Sequence, residues 1–284
     1  MRGATRAALG RRRVALFCAI VAAASAPLWV LHRASGYGPY TALLMWCPAL
    51  AGLATLRLTG GGRDALGWKR LAWRWGLAGW AVTALGLALA YASVAAMGFA
   101  RFPDTDALAR LAGRMGLSAL VLPAALAAHA ATTLTAGVVN AGGRALGEEL
   151  GWRGVLAVEA SAAFGFLPGS LLGGAVWAAW HLPLMVGRVP PAGLANFAMM
   201  VVGLGVAYGW VRLRSASVWP TTIMHATHNA FRSAFLAPLT VGLAGSGFWL
   251  DETGVALAAL GVLMGAAAAV AWRLEARRAR AGAA

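Results

Sequence analysis

Gly147-Glu148-Glu149-Leu150-Gly151-Trp152-Arg153-Gly154 is the stretch on which the fold turns. The chain on either side is apolar enough to sit in lipid, yet here two adjacent carboxylates and an arginine occur within six positions. Each such group costs about 2.5–3.5 kcal/mol at the centre of a membrane helix. A chain that keeps them there has a polar cavity to serve, and the remaining polar residues are read for what they add to it.

Working outward, the composition fixes the class. The 284 residues are 60% hydrophobic and only 12% charged, with a mean hydropathy of +0.70. Soluble domains carry about 25% charged residues. Half that proportion, with repeated apolar runs near 20 residues, predicts an all-α polytopic membrane bundle of about eight transmembrane helices. No composition break marks a second domain, so residues 1–284 read as one integral membrane unit.

The net charge is +15. The basic residues gather at the tails and between apolar runs: Arg2, Arg6 and Arg11 to Arg13; Arg57, Arg63, Lys69, Arg70 and Arg74; Arg273, Arg277, Arg278 and Arg280. That pattern follows the positive-inside rule and reports topology and anionic headgroups. Nucleic-acid binding is excluded, since no basic groove with interleaved stacking aromatics occurs. Cys18 and Cys47 lie within apolar runs and read as small buried hydrophobes.

Spans are expected near residues 14–31, 40–58, 76–99 and 115–139. The first resembles a secretory signal, but Pro27 follows Ala24-Ser25-Ala26, so an uncleaved span with a cytoplasmic N-terminus is expected. Trp68, Trp73 and Trp75 among the basic residues of 57–75 read as an interfacial belt. His129, in the fourth span, reads as a structural histidine.

A helix beginning at Glu148/Glu149 is expected next, ended near Pro168-Gly169. A second follows over residues 170–185 with Trp177 and His181, then one over 195–211. Trp219-Pro220 opens another, with His225, His228 and Asn229, and the last span is 255–272. These make nine helical runs. If the Glu148/Glu149 run does not span, eight crossings remain, both termini fall in the cytoplasm, and Asp251/Glu252 fall outside. A partial helix at membrane depth is tolerated where it lines a polar cavity.

Spacing gives the local chemistry. Glu149 and Arg153 are four apart, which supports an intrahelical ion pair. Glu148, about 100° round the helix, is then free to face a cavity. His225 and Asn229 are also four apart and share a face. A carboxylate beside a histidine in a water-poor pocket activates water, and a histidine and an amide can donate to a developing oxyanion. No Gly-x-Ser-x-Gly occurs, and neither cysteine sits in a nucleophile context. Alternatives remain open at this point. A Glu-Glu pair at a helix start can simply complement the macrodipole. A transporter, a non-catalytic scaffold or a bacteriocin-immunity protein can use the same buried charges.

The segments Glu148-Glu149-Leu150-Gly151-Trp152-Arg153-Gly154, Trp177-Ala178-Ala179-Trp180-His181-Leu182-Pro183 and His225-Ala226-Thr227-His228-Asn229 resemble the EExxxR, WxxxH and HxxxN motifs of the CPBP (CAAX protease and bacteriocin-processing, or Abi) intramembrane proteases. The Ras-converting CAAX endopeptidase is the eukaryotic member. The resemblance spans roughly residues 117–239, a catalytic core inside the single membrane domain. It implies an eight-helix bundle with a cavity open to the cytoplasm or to lipid. It puts water activation on Glu148 and His181, the oxyanion hole on His225 and Asn229, and supporting roles on Glu149 and Arg153. Trp177 stands where the family often has Phe and reads as a cavity wall; His228 lies outside the motif.

The family was long described as metalloproteases, and Glu148, His181 and His225 are ligand types that zinc accepts. There is no HExxH, and Asn229 suits an oxyanion better than a metal. The metal-free glutamate mechanism is therefore favoured over zinc and no cofactor is expected. The expected partners are a peptide or membrane-tethered protein substrate and the lipid bilayer.

Overall fold

The computed structural model describes residues 2–116 and 122–282, and within them the chain is an all-α polytopic bundle. It opens with α1 (Arg2–Ser35), α2 (Gly38–Leu44) and α3 (Cys47–Leu58). The expected second span is thus two helices, broken because Pro48 falls in the first turn of α3 and has no N–H to continue α2. Next come α4 (Trp73–Ala96) and the short amphipathic α5 (Thr105–Arg114), whose N-terminus is capped by the Asp104 side chain accepting from the Asp106 and Ala107 N–H groups.

The middle of the chain differs most from expectation. The start of the expected fourth span, and with it residues 117–121 of the expected core, lies outside the described residues. From Leu122 to Phe164 the helix is continuous. It runs through α6 (Leu122–Thr132), a π turn (Thr133–Gly137), α7 (Val138–Gly151), a second π turn (Trp152–Leu156) and α8 (Ala157–Phe164). Glu148 and Glu149 therefore do not begin a helix; they close α7 in the middle of a 43-residue one. In lipid, a helix end must satisfy its backbone groups without water, and an unbroken helix does so through its own hydrogen bonds. The irregularity is absorbed by π turns instead, and the macrodipole reading of the two glutamates is removed.

The remaining helices are α9 (Phe166–Met185), α10 (Pro191–Ser215), α11 (Trp219–Ala230, continued by a π turn Phe231–Leu236), α12 (Ser246–Trp249) and α13 (Val255–Ala281). The strands described are two-residue pieces, with Ala100 opposite Gly242.

Among the described residues, six helical stretches are long and apolar enough to cross a membrane, against about eight expected. α9 and the α11 helix fall outside the six. They hold His181, Pro183, His225, His228 and Asn229, so the residues that mark the site are those that lower their hydropathy.

Close backbone contact holds the site-bearing helices together. α7 packs on α3 and α11, and a Cβ on Gly151 would stand 2.3 Å from the Pro48 carbonyl oxygen. α10 crosses α13 where a Cβ on Gly203 would meet the Gly261 carbonyl oxygen at 2.2 Å. Small residues let membrane helices approach in this way. At the far end, Arg6 and Arg13 of α1 both bind Glu159 of α8, Arg13 at 2.9 Å. His129 is a satisfied structural residue, its Nε2 2.8 Å from the Ala234 carbonyl.

Candidate functional site

The site begins with two glutamates that face different ways. Glu149 is fully buried and accepts from the Arg153 guanidinium at 2.8 Å, the i,i+4 pair the sequence predicts. The same oxygen is 3.0 Å from His225 Nδ1. Arg153 is itself sandwiched, its Cζ 4.1 Å above the Trp177 ring and 4.8 Å from the Tyr208 ring. Those contacts tie α7, the following π turn, α9, α10 and α11 at one point.

Glu148 lines a cavity of about 290 Å³. Its Oε2 accepts from the indole N–H groups of Trp177 at 2.9 Å and Trp152 at 3.2 Å. Oε1 lies 3.9 Å from His225 Nε2. A carboxylate held this way keeps one oxygen for its neighbours and one for the cavity.

His181, His225 and Asn229 line the same cavity, as does Trp177. His181 Nδ1 is 3.0 Å from the Trp177 carbonyl, so Nδ1 carries the proton and Nε2 is left as the acceptor. Its ring is fixed by edge contacts to Trp180 at 4.9 Å and Phe197 at 5.3 Å. No ion pair joins Glu148 to His181 among the described residues. Trp177 joins them instead, through its indole to one and its carbonyl to the other.

His225 is oriented from behind by Glu149, which leaves Nε2 toward Glu148 and the cavity. Asn229 follows one turn later on the same face of α11.

Sequence reasoning left several lining residues out. His228 lies 3.3 Å from Glu252, and Arg232 lies 3.1 Å from that carboxylate while its NH1 binds Asp251. Glu252, Arg232 and Arg144 all line the cavity, with Thr41 and Met45 completing a wall outside residues 117–239. Burial pushes the Glu252 carboxyl up, but His228 and Arg232 together outweigh it and bring the group down to about 2. The i,i+4 spacing of His228 and Arg232 was the available signal on α11, but Glu252 comes from a distant loop and had none.

Residues 128–231 of the chain match the family model described as type II CAAX prenyl endopeptidase Rce1-like. The matched segment includes Glu148, Glu149, Arg153, Trp177, His181, His225 and Asn229 and ends before Arg232 and Glu252. No curated protein matches the chain.

Proposed function

We propose, from the match of residues 128–231 to the Rce1-like CAAX prenyl endopeptidase model, that the chain is a protease of the CPBP/CAAX family and, within it, an intramembrane glutamic-type endopeptidase. The family match and the apolar helices support the coarser statement, a multi-pass membrane protease of the CAAX type. The mechanism is our reading, and the observation that supports it is the convergence of Glu148, His181, His225 and Asn229 on one cavity.

A water held between Glu148 and His181 attacks the carbonyl carbon of the scissile peptide bond. Its proton passes to the Glu148 carboxylate or to His181 Nε2, the acceptor left by the bond from Nδ1 to Trp177. The carbonyl oxygen becomes an oxyanion and accepts from the Asn229 amide and from His225 when Nε2 is protonated. Collapse breaks the C–N bond, and the stored proton leaves on the amine. Glu149 and Arg153 hold His225 and Trp177 in place and do not touch substrate.

No step uses a metal. Glu148 Oε2 is already engaged by two indole donors, and no group of three His, Cys, Asp or Glu side chains able to hold a metal occurs among the described residues. Zinc remains the competing proposal. The substrate class is a short peptide or a membrane-tethered segment.

Cleavage of a peptide library by the purified protein in liposomes, with and without a strong chelator, tests this reading. Cleavage should survive the chelator and vanish in Glu148→Ala and His181→Ala while both variants stay folded. Full activity in either variant ends the proposal. Activity lost to chelator and restored by zinc keeps the protease and overturns its mechanism.

A further inference from the structure

We propose that the cavity opens on the extracytoplasmic side of the membrane, in place of the cytoplasmic or lipid-facing opening that the family resemblance implies, so that its substrates are peptide segments of exported or membrane-tethered proteins presented there. The inference rests on the protease reading for the word substrate, but the direction of opening rests on geometry and charge alone.

Contacts between distant segments divide the bundle into two ends. At one, Arg13 binds Glu159 and Thr59, Arg212 donates to the Ala65 carbonyl, Trp219 donates to the Trp68 carbonyl, and Arg214 pairs with Glu275. This end gathers residues 1–13, 57–74, 212–214 and 273–280, which hold sixteen of the twenty-four lysines and arginines. At the other, Arg33 donates to the Pro183 and Val186 carbonyls, Asn196 to the Thr253 carbonyl, and Asp104 N–H to the Leu239 carbonyl. That end holds seven basic residues, and Arg153 lies between the two. Arg13 and Arg33 stand twenty residues apart on one helix, about 30 Å, the thickness of the hydrocarbon core. By the positive-inside rule the crowded end is cytoplasmic. Both termini then lie in the cytoplasm, and α9 and the α11 helix bring the crossings to eight.

The cavity belongs to the other end. Its floor is Glu148, Trp177, Tyr208 and His225, underlain by Arg153. Its rim is Thr41, Arg144, Arg232, Ser233 and Glu252, with Arg144 and Ser233 exposed. Arg144 stands one helical turn from Glu148, and Arg232 seven residues from His225, about 6 and 10 Å of rise. None of the basic stretches 1–13, 57–74, 212–214 and 273–280 lines it. Water and a peptide therefore reach Glu148 from the basic-poor end.

The test needs no proteolysis. In the full-length chain with Cys18→Ala and Cys47→Ala, single cysteines are placed at Gly247, Ser233 and Gly62, the first and last of which have open space around them. Intact spheroplasts are treated with a membrane-impermeant maleimide before and after permeabilisation. Labelling of S233C and G247C in intact spheroplasts, and of G62C only after permeabilisation, is the expected result. The reverse pattern, or labelling of all three in intact spheroplasts, overturns the orientation. Outside labelling of G247C without S233C overturns the opening. A fluorescent-protein fusion after Ala284, bright only in the cytoplasm, checks the orientation without any cysteine, and a dark, exported fusion overturns it. If peptide cleavage fails while this pattern holds, the protease reading falls and the orientation stands.

Discussion

Glu148 and Glu149 are neighbours in sequence with opposite duties, and the difference is one of partners. Glu149 neutralises a buried arginine and fixes His225. Replacing it by Gln leaves Arg153 buried without its counter-charge, a change that costs about 3–5 kcal/mol. Glu149→Gln should therefore lower thermal stability and activity together. Glu148→Gln should abolish cleavage with a melting temperature near the parent's, since the hydrogen bonds of Glu148 are to neutral indoles and its nearest histidine nitrogen, on His225, stands 3.9 Å away. Equal melting temperatures for the two variants would contradict this division. Trp177 carries a finer prediction. Phe keeps a ring over Arg153 but loses the N–H to Glu148, and Trp152 remains as the second donor. The loss of one such bond, about 0.5–1.5 kcal/mol, corresponds to about a two- to tenfold fall in kcat with KM little changed. A purely structural wall would alter stability instead.

At the scale of elements, the site depends on how closely α7 can approach α3. Gly151 faces the Pro48 carbonyl, a backbone atom that no rotamer change can move aside. Gly151→Ala should cost about 1–3 kcal/mol by overpacking and displace Glu148 less than one turn away, so both melting temperature and kcat fall. Gly142, on the same helix, has nothing within 4 Å of an added Cβ. Gly142→Ala should be neutral or stabilising by up to about 1 kcal/mol from helix propensity. The paired measurement separates helix propensity from packing. The π turns on both sides of α7 allow one unbroken helix to present Glu148 to the cavity and Arg153 to the layer beneath it. Such bulges recur at functional sites for this reason.

At the scale of the whole molecule, the segment between α12 and α13 is tied to the site by Asp251 and Glu252 on Arg232 and His228. Glu252 is held down at about 2 against an ordinary 4.5. A carboxyl depressed in the folded state stabilises fully above its unfolded value and loses that contribution as pH falls through the folded one. The melting temperature of the protein in nanodiscs should then show no contribution from this group to change between pH 7 and 5.5, and a fall between about pH 4.5 and 2. Glu252→Gln should lower the melting temperature at pH 7 and remove part of the acid-side fall. An unchanged acid profile in the variant would show that the tie contributes nothing.

Composition alone settled that this is a helical membrane protein, because 60% apolar residues leave no other solvent for the chain. Spacing settled the Glu149–Arg153 pair and the shared face of His225 and Asn229, since i,i+4 relations are local geometry. The three motifs were legible as motifs for the same reason. What no local rule reaches is contact between distant segments. His225 meets Glu149 across 76 positions, and Trp177 meets Glu148 across 29. Glu252 meets His228 from a separate loop. The continuity of the helix through Glu148 was also hidden, because its glycines and polar residues read as a boundary in water, whereas in lipid an unbroken helix satisfies its own backbone groups. Tertiary packing alone decided which distant side chains hold each glutamate and toward which end of the bundle the free one looks.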